Sequence, residues 1–290
     1  MTVCSVCAVI VSYNPSSDVL SHITALRPQV LSLVVVDNGS SPENLVMLRN
    51  GSSRLGFKLI ENGLNRGIAY ALNQGICQAS MNGATWVAFF DQDSVIPPNF
   101  MDLMFETYND SPMRLQAGII CPRYCDERTD IVLPLPCSKK KEILAVPTSG
   151  SLVPTEIFRL VGEFNEDLFI DYVDVEFSLR VRKAGYRIIQ STQAVLRHSM
   201  GKITRHRFAR RFFITTNHNA ARRYYITRNR IWVLARYWSD WPWSAKEVKS
   251  ACAEAIKIIF VEGDRLMKFR NIFLGCADAM TGHMGKRIEL

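Results

Sequence analysis

The apolar run at residues 84–90 (A-T-W-V-A-F-F), and what stops it, constrain the chain more than any other stretch. Rich in β-branched and aromatic residues, the run reads as a buried strand. It ends in F-F-D-Q-D-S at two carboxylates one residue apart, Asp91 and Asp93. Pro97 and Pro98 then forbid any continuation of a ladder. Asp-x-Asp at the end of a buried strand sets two hard oxygen ligands at a sheet rim. Such a rim suits a divalent cation that keeps positions open for phosphate oxygens. Taken alone, the pair reads more readily as a solvated turn, and the rest of the chain reverses that reading.

Two further runs have the same shape. Residues 6–11 (V-C-A-V-I-V) form a continuous apolar strand covered on both faces, ending in the turn Ser12-Tyr13-Asn14-Pro15. Residues 18–31 have helical spacing, and 31–36 form a second buried strand that ends at Asp37-Asn38-Gly39-Ser40. This is a βαβ unit, and open parallel sheets bind ligands at the carboxyl edge of their strands. Asp37 is either a ligand contact there or an ordinary turn residue. A short strand at 57–61 leads to Asn65-Arg66-Gly67, which opens a helix with Ile68, Ala71, Leu72 and Ile76 on one face. The turn is neither a G-x-G-x-x-G nor a Walker loop, which argues against dinucleotide and P-loop readings. Helix at 100–108 and strand at 117–121 follow. Residues 126–141 read as a loop or hairpin with a solvated lysine run at 139–141, and Thr148-Ser149-Gly150-Ser151 reads as a bend.

Residues 164–185 (F-N-E-D-L-F-I-D-Y-V-D-V-E-F-S-L-R-V-R-K-A-G) predict a helix that ends at Gly185. Asp171, Asp174 and Glu176 crowd its start. Capping and dipole compensation account for one such acid; a carboxylate kept ionised there can act as a general base. A strand at 186–195 precedes His198, a candidate nitrogen ligand for a borderline metal.

The net charge of +8 on 290 residues is unevenly spread. Residues 177–239 contain fifteen Lys or Arg and no acid, so the remainder is acidic by about seven charges. Nine arginines between 205 and 236 alternate with Phe, Tyr and Trp. This stretch and residues 244–274, with Val248, Cys252, Ile256, Ile259 and Phe260, read as helices. Basic amphipathic helices of this kind lie in membrane interfaces, attracted by anionic lipid. The eight cysteines form neither a disulfide framework nor a zinc pattern. Met1 leads straight into a strand without a basic flank, and no uncharged run approaches the roughly 20 apolar residues of a span. A chain that neither spans a membrane nor leaves the reducing compartment is the expectation.

Assembled, these stretches resemble family 2 of the inverting nucleotide-sugar glycosyltransferases, within it the bacterial rhamnosyltransferases. The resemblance is carried by V-I-V-S-Y-N-P, V-V-D-N-G-S, N-R-G-I-A-Y-A-L-N-Q-G and F-F-D-Q-D-S, then by F-I-D-Y-V-D-V-E-F-S-L-R, H-S-M-G and R-Y-Y-I-T-R-N. It implies an α/β GT-A fold over residues 1–203, a Rossmann-like mixed sheet, followed by a basic helical region at 204–290 on the membrane and acceptor side. Tyr13, Asn14, Asp37, Asn65, Arg66, Gly67, Asp91 and Arg228 would contact the donor. Asp93, with Asp91 and His198, would hold Mg²⁺ or Mn²⁺. Asp174 aligns with the base; the residue before it is Val173 where relatives carry an acid, so Asp171 and Glu176 stay as alternatives. The implied donor is dTDP-β-L-rhamnose and the acceptor a lipid-linked saccharide or glycolipid of surface polysaccharide such as O-antigen. The implied location is the cytoplasmic face of the cell membrane, bound peripherally to anionic lipid. The same fold with a UDP-hexose donor stays open. So does a nucleic-acid-binding protein built on the basic segment, although strand-end aspartates repel phosphates unless a metal intervenes.

Overall fold

A computed structural model describes residues 5–126, 132–138, 142–198, 204–208, 211–215 and 217–289. The lysine run at 139–141, Arg210, and the Ser, Met and Gly of H-S-M-G lie outside them. The chain forms two compact units, one of residues 1–169 and 173–199, the other of 170–172 and 200–290.

The first unit is built on one eight-stranded sheet. Its first half alternates strand and helix: β1 (Val6–Ser12), α1 (Val19–Leu26), β2 (Ser32–Asp37), α2 (Pro42–Leu55), β3 (Lys58–Glu61), α3 (Ile68–Met81) and β4 (Trp86–Asp91). These strands are parallel in the order β3-β2-β1-β4, with Ile10 paired to Val35 on one side and Phe90 on the other. Because β1 and the interior of β4 are buried throughout, they read as unbroken apolar runs rather than as alternation. After α4 (Phe100–Asp110) come β5 (Ala117–Asp126), β6 (Val132–Leu133) and β7 (Leu152–Pro154), then α5 (Thr155–Val161), α6 (Val173–Lys183) and β8 (Arg187–His198). β7 runs antiparallel between β4 and β5, and β8 runs parallel to β5. The sheet is therefore mixed. The region read as loop or hairpin contains β6, paired antiparallel with β5.

Helix α2 has no counterpart in the sequence reading. Its sequence is polar and buries only Leu48 and Gly51, so it lacks an apolar stripe; Pro42 in its first turn and left-handed Gly56 after it are its signals.

The second unit departs further from expectation. The first part of the arginine-rich stretch is an antiparallel hairpin, β9 (Thr204–Phe208) with β10 (Arg211–Thr215), not helix. T-R-H-R-F and R-F-F-I-T are rich in β-branched and aromatic residues, which favours strand. Helix α7 (Ala220–Tyr237) starts only at Asn219, whose side chain accepts from the Arg222 N–H. The expected helix at 244–274 is two, α8 (Trp241–Phe260) and α9 (Arg265–Thr281). They separate at Asp264, whose φ of +53° cannot continue a helix.

Candidate active site

The carboxyl ends of β1, β2 and β4 lie side by side, because the parallel register pairs Ser12 with Asp37 and Val11 with Asp91. This gathers the loops bearing Tyr13 and Asn14, Asp37 to Ser40, and Asp91 to Ser94 at one sheet edge.

Hydrogen bonds between these loops fix them. Gln92, the residue between the two aspartates, accepts from the Tyr13 N–H at 2.8 Å and donates back to the Tyr13 carbonyl at 3.3 Å. Asn14, in the left-handed region at φ +45°, donates its N–H to Ser40 Oγ at 2.8 Å and accepts from the Ser41 N–H at 2.8 Å. Asn38 donates to Asn65 Oδ1 at 3.1 Å and accepts from Asn62 Nδ2 and the Arg66 N–H, both at 3.2 Å, which ties the end of β2 to the start of α3. Gly39 has no freedom to be anything else: with φ at +94°, a Cβ would sit 2.6 Å from the Leu64 carbonyl carbon.

Asp37 is fully buried. Its oxygens accept from the Gly39 and Ser40 N–H groups at 3.1 and 2.9 Å, from Ser12 Oγ at 3.3 Å and from the Ser40 hydroxyl. The carboxylate that the resemblance assigns to the donor is thus also held by its own turn. Arg66 is held differently, over the Tyr70 ring and donating to its hydroxyl at 3.1 Å. Gly67, at φ +93°, lets Ile68 N–H reach the Phe169 carbonyl at 2.8 Å; a Cβ on it would meet Phe169 at 2.6 Å.

Asp91 closes β4 half-buried, and Asp93 is exposed on the following turn. The bend at 148–151 reaches them: Ser149 Oγ accepts from the Asp91 N–H at 3.1 Å and lies 2.7 Å from Ser94 Oγ. Tyr124 sits beneath this bend, donating to the Ser149 carbonyl at 3.0 Å. Burial first, with the Asp174 and Asp91 carboxylates among the further causes, pushes its hydroxyl well above the usual phenol range. Tyr124 thus feels both acids, one from β4 and one from the first turn of α6. Asp174 also lines a small cavity with Phe89, Pro147, Thr148, Phe164 and Phe177.

Asp174 Oδ1 accepts from the Val175 N–H at 2.8 Å, and the other two acids near α6 meet arginines. Glu176 is buried and pairs with Arg180 at 2.8 Å. Asp171 belongs to the second unit, where it pairs with Arg222 at 3.0 Å. His198 ends β8 opposite Asp126 in the register. Among the described residues, no three His, Cys, Asp or Glu side chains cluster as a metal cage.

Arg228 is fully buried in the second unit, donating to the Gly285 carbonyl at 2.6 Å and stacked over the Tyr225 ring, contacts that tie it to the C-terminal tail. The arginines beside it are also committed. Arg223 pairs with Glu262 at 2.8 Å and Glu254 at 3.3 Å, and Arg230 with Glu247 and Glu254, both at 2.9 Å. These acids lie downstream of the acid-free stretch, which is why a linear count read the arginines as unmatched charge.

Gln92, Ser149 and Tyr124 carry the scaffolding that sequence reasoning missed. Gln92 lay in view inside D-Q-D, whereas Ser149 and Tyr124 are brought to β4 only by the sheet order.

Comparison with known proteins places the chain in a family. The family model for glycosyl transferase family 2 matches residues 7–140. The dTDP-rhamnosyl transferase RfbF of Shigella flexneri is 33% identical over 211 residues, 67% of this chain and 69% of that protein. The chain belongs to glycosyl transferase family 2. The poly-beta-1,6-N-acetyl-D-glucosamine synthase of Staphylococcus aureus is 26% identical over 192 residues, 61% of this glycosyltransferase but 45% of the synthase, so the chain spans less than half its length. Among solved structures, S. aureus TarS 1–349 in complex with UDP-GlcNAc aligns with a TM-score of 0.60 at 14% identity, over 96% of this chain and 81% of that one. Mannosyltransferase PcManGT from Pyrobaculum calidifontis, in complex with GDP-Man and Mn²⁺, aligns at 0.58 and 18% identity, over 96% and 75%. A longer TarS chain aligns at 0.56, and this glycosyltransferase covers 40% of it. At these identities the likeness concerns the fold, which is GT-A, α/β with a mixed sheet.

Proposed function

We propose that this glycosyltransferase moves L-rhamnose from dTDP-β-L-rhamnose, with inversion, onto a lipid-linked saccharide or glycolipid in bacterial surface polysaccharide synthesis. The observation that carries this reading is the 33% identity to the Shigella flexneri dTDP-rhamnosyl transferase across two thirds of both chains. We assign Asp93 and Asp91 to a divalent cation, Mg²⁺ or Mn²⁺. The fit rests on the donor set: two carboxylates one residue apart at a strand end, one exposed and one half-buried, leave positions for diphosphate oxygens. When bound, the cation would offset charge on the departing nucleoside diphosphate. Tyr13, Asn14, Asn65, Arg66 and Gly67 stand as donor contacts, His198 as a further diphosphate or metal contact.

Asp174 is the proposed base. Inversion needs a carboxylate on the face opposite the leaving group, taking the acceptor hydroxyl proton as that oxygen attacks the anomeric carbon. The place of Asp174 in the first turn of α6, lining a small cavity with Phe89, Thr148 and Phe177, supports this reading. A lipid-linked acceptor implies work at the inner face of the cell membrane; among the described residues no helix is long and apolar enough to cross one.

A UDP-hexose donor is the second reading, favoured by the fold likeness to the UDP-GlcNAc complex of TarS. A donor panel of dTDP-rhamnose, UDP-GlcNAc, UDP-glucose and GDP-mannose, each with Mg²⁺ or Mn²⁺, decides by nucleoside diphosphate release. Turnover confined to a UDP sugar would remove the rhamnose assignment.

A further inference from the structure

Helix α9 is amphipathic the wrong way round for a helix that packs only against protein. The face it buries carries Lys268 and Gly275, both in the second unit's interior. Lys268 Nζ is held by Glu262 and Asn217, both at 2.8 Å. Gly275 lies against α7 so closely that a Cβ would sit 2.7 Å from the Tyr224 carbonyl oxygen. Leu266, Phe269, Phe273 and Met280, spaced i, i+3, i+7 and i+14, fall on one side of the helix and are exposed, Leu266 at 89% and Phe273 at 74%. The last turn of α8 adds Ile256, Ile259 and Phe260, also exposed. Scattered apolar residues on a surface are ordinary, but a run of this density is not.

Charge on these helices is sorted in the same sense. Glu247, Glu254 and Glu262 turn inward to the arginines of α7. Lys246, Lys249, Arg265 and Arg270 are exposed on or beside the two helices, and Lys286 and Arg287, beyond α9, pair with Glu289 and Asp278; the exposed acids among the described residues of 241–289 are Asp264 and Glu289. An apolar ridge with a basic rim matches an anionic bilayer surface, acyl chains below and phosphates around. Two copies meeting across a two-fold axis would set the basic rims against each other.

We propose that the outer face of α9 and the last turn of α8 insert into the interface of an anionic membrane, and that this ridge, more than the arginines of the hairpin, anchors the enzyme. The proposal deepens the lipid-linked acceptor reading and rests on it only for the choice of a membrane. Vesicle binding needs neither donor nor acceptor, so failure of the donor panel leaves this result readable.

The test is flotation of the full chain with phosphatidylcholine vesicles, with and without phosphatidylglycerol. Wild type should float with the anionic vesicles and much less with the neutral ones. Leu266→Ser with Phe273→Ser should lower the partition coefficient about 100-fold, since each large apolar side chain contributes roughly tenfold or more. Phe260→Ser with Met280→Ser should act in the same direction, giving a second reading if either pair expresses poorly. Leu31→Ser with Leu115→Ser, exposed leucines of the first unit, should float as wild type does. Three outcomes overturn the proposal: wild type that does not float; flotation lost on changing Arg205, Arg207, Arg210 and Arg211 to Gln but kept in Leu266→Ser/Phe273→Ser; or a wild-type dimer in light scattering that this pair makes monomeric and that binds no vesicles.

Discussion

Asn229 donates both side-chain hydrogens to backbone, one to the Ile170 carbonyl at 2.7 Å and one to the Asp171 carbonyl at 2.9 Å. The segment it holds is strained. Asp171 and Tyr172 have φ of +61° and +65°, and Phe169 before them +60°. Left-handed backbone costs a non-glycine residue about 1–2 kcal/mol, so such a run persists only where its surroundings dictate it. The second unit does so from several sides. Asn229 takes the carbonyls, Arg222 takes the Asp171 carboxylate, and Glu247 and Arg230 hold the Tyr172 hydroxyl. The next residues in the chain open α6 and bear Asp174. The N of R-Y-Y-I-T-R-N is therefore a clamp on the segment that introduces the proposed base.

Asn229→Ala should destabilise the protein by about 1–2 kcal/mol, since two half-buried carbonyls lose their donors. Asn229→Asp should be no better, because a carboxylate cannot donate. Denaturant unfolding checks both; midpoints within error of wild type would show that the loop holds itself.

Asp93→Ala should abolish transfer and divalent-dependent donor binding while leaving the melting temperature unchanged, because the residue is exposed on a turn. Near-normal turnover in EDTA would remove the metal assignment.

Asp174→Asn should lower turnover by about 10²–10⁴, the usual worth of a general base, with donor affinity little altered. Glu176→Gln should behave differently. It removes the charge facing Arg180, which keeps its bonds to the Val161 and Glu163 carbonyls, and should cost about 1–2 kcal/mol of stability, with catalysis per folded molecule retained. Reversal of the two phenotypes in kinetics and unfolding would move the base two residues along α6, to Glu176.

Ser149→Ala removes the acceptor for the Asp91 N–H and the partner of Ser94. The loss should be about 1 kcal/mol in stability, with a rise in the Mn²⁺ concentration needed for half-maximal activity. Unaltered metal dependence, titrated against wild type, would show that the bend does not tune the aspartates.

What the sequence determined was whatever local pattern carries. Three apolar runs ending in turn residues were legible as parallel strands, because a strand buried on both faces has to be apolar throughout. The Asp-x-Asp rim, the Asn65-Arg66-Gly67 turn and the acids around α6 followed from position relative to those runs. Tertiary structure decided everything that depends on partners remote in sequence. The hydrogen bonds that hold Asp37 in its own turn, and the ion pairs of Glu176 with Arg180 and of Asp171 with Arg222, could be seen only in the folded chain. The arginine-rich stretch looked like uncompensated charge because the acids that meet it lie outside it, at Asp171 before and at Glu247, Glu254 and Glu262 after, and only packing brings them together. The apolar side of α9 is the converse case. Its spacing could be read as a core stripe, and only the burial of Lys268 and Gly275 on the opposite side shows that Leu266 and Phe273 face outward. Periodicity reports that a helix has two faces; which of them turns inward is set by what the neighbouring helix offers.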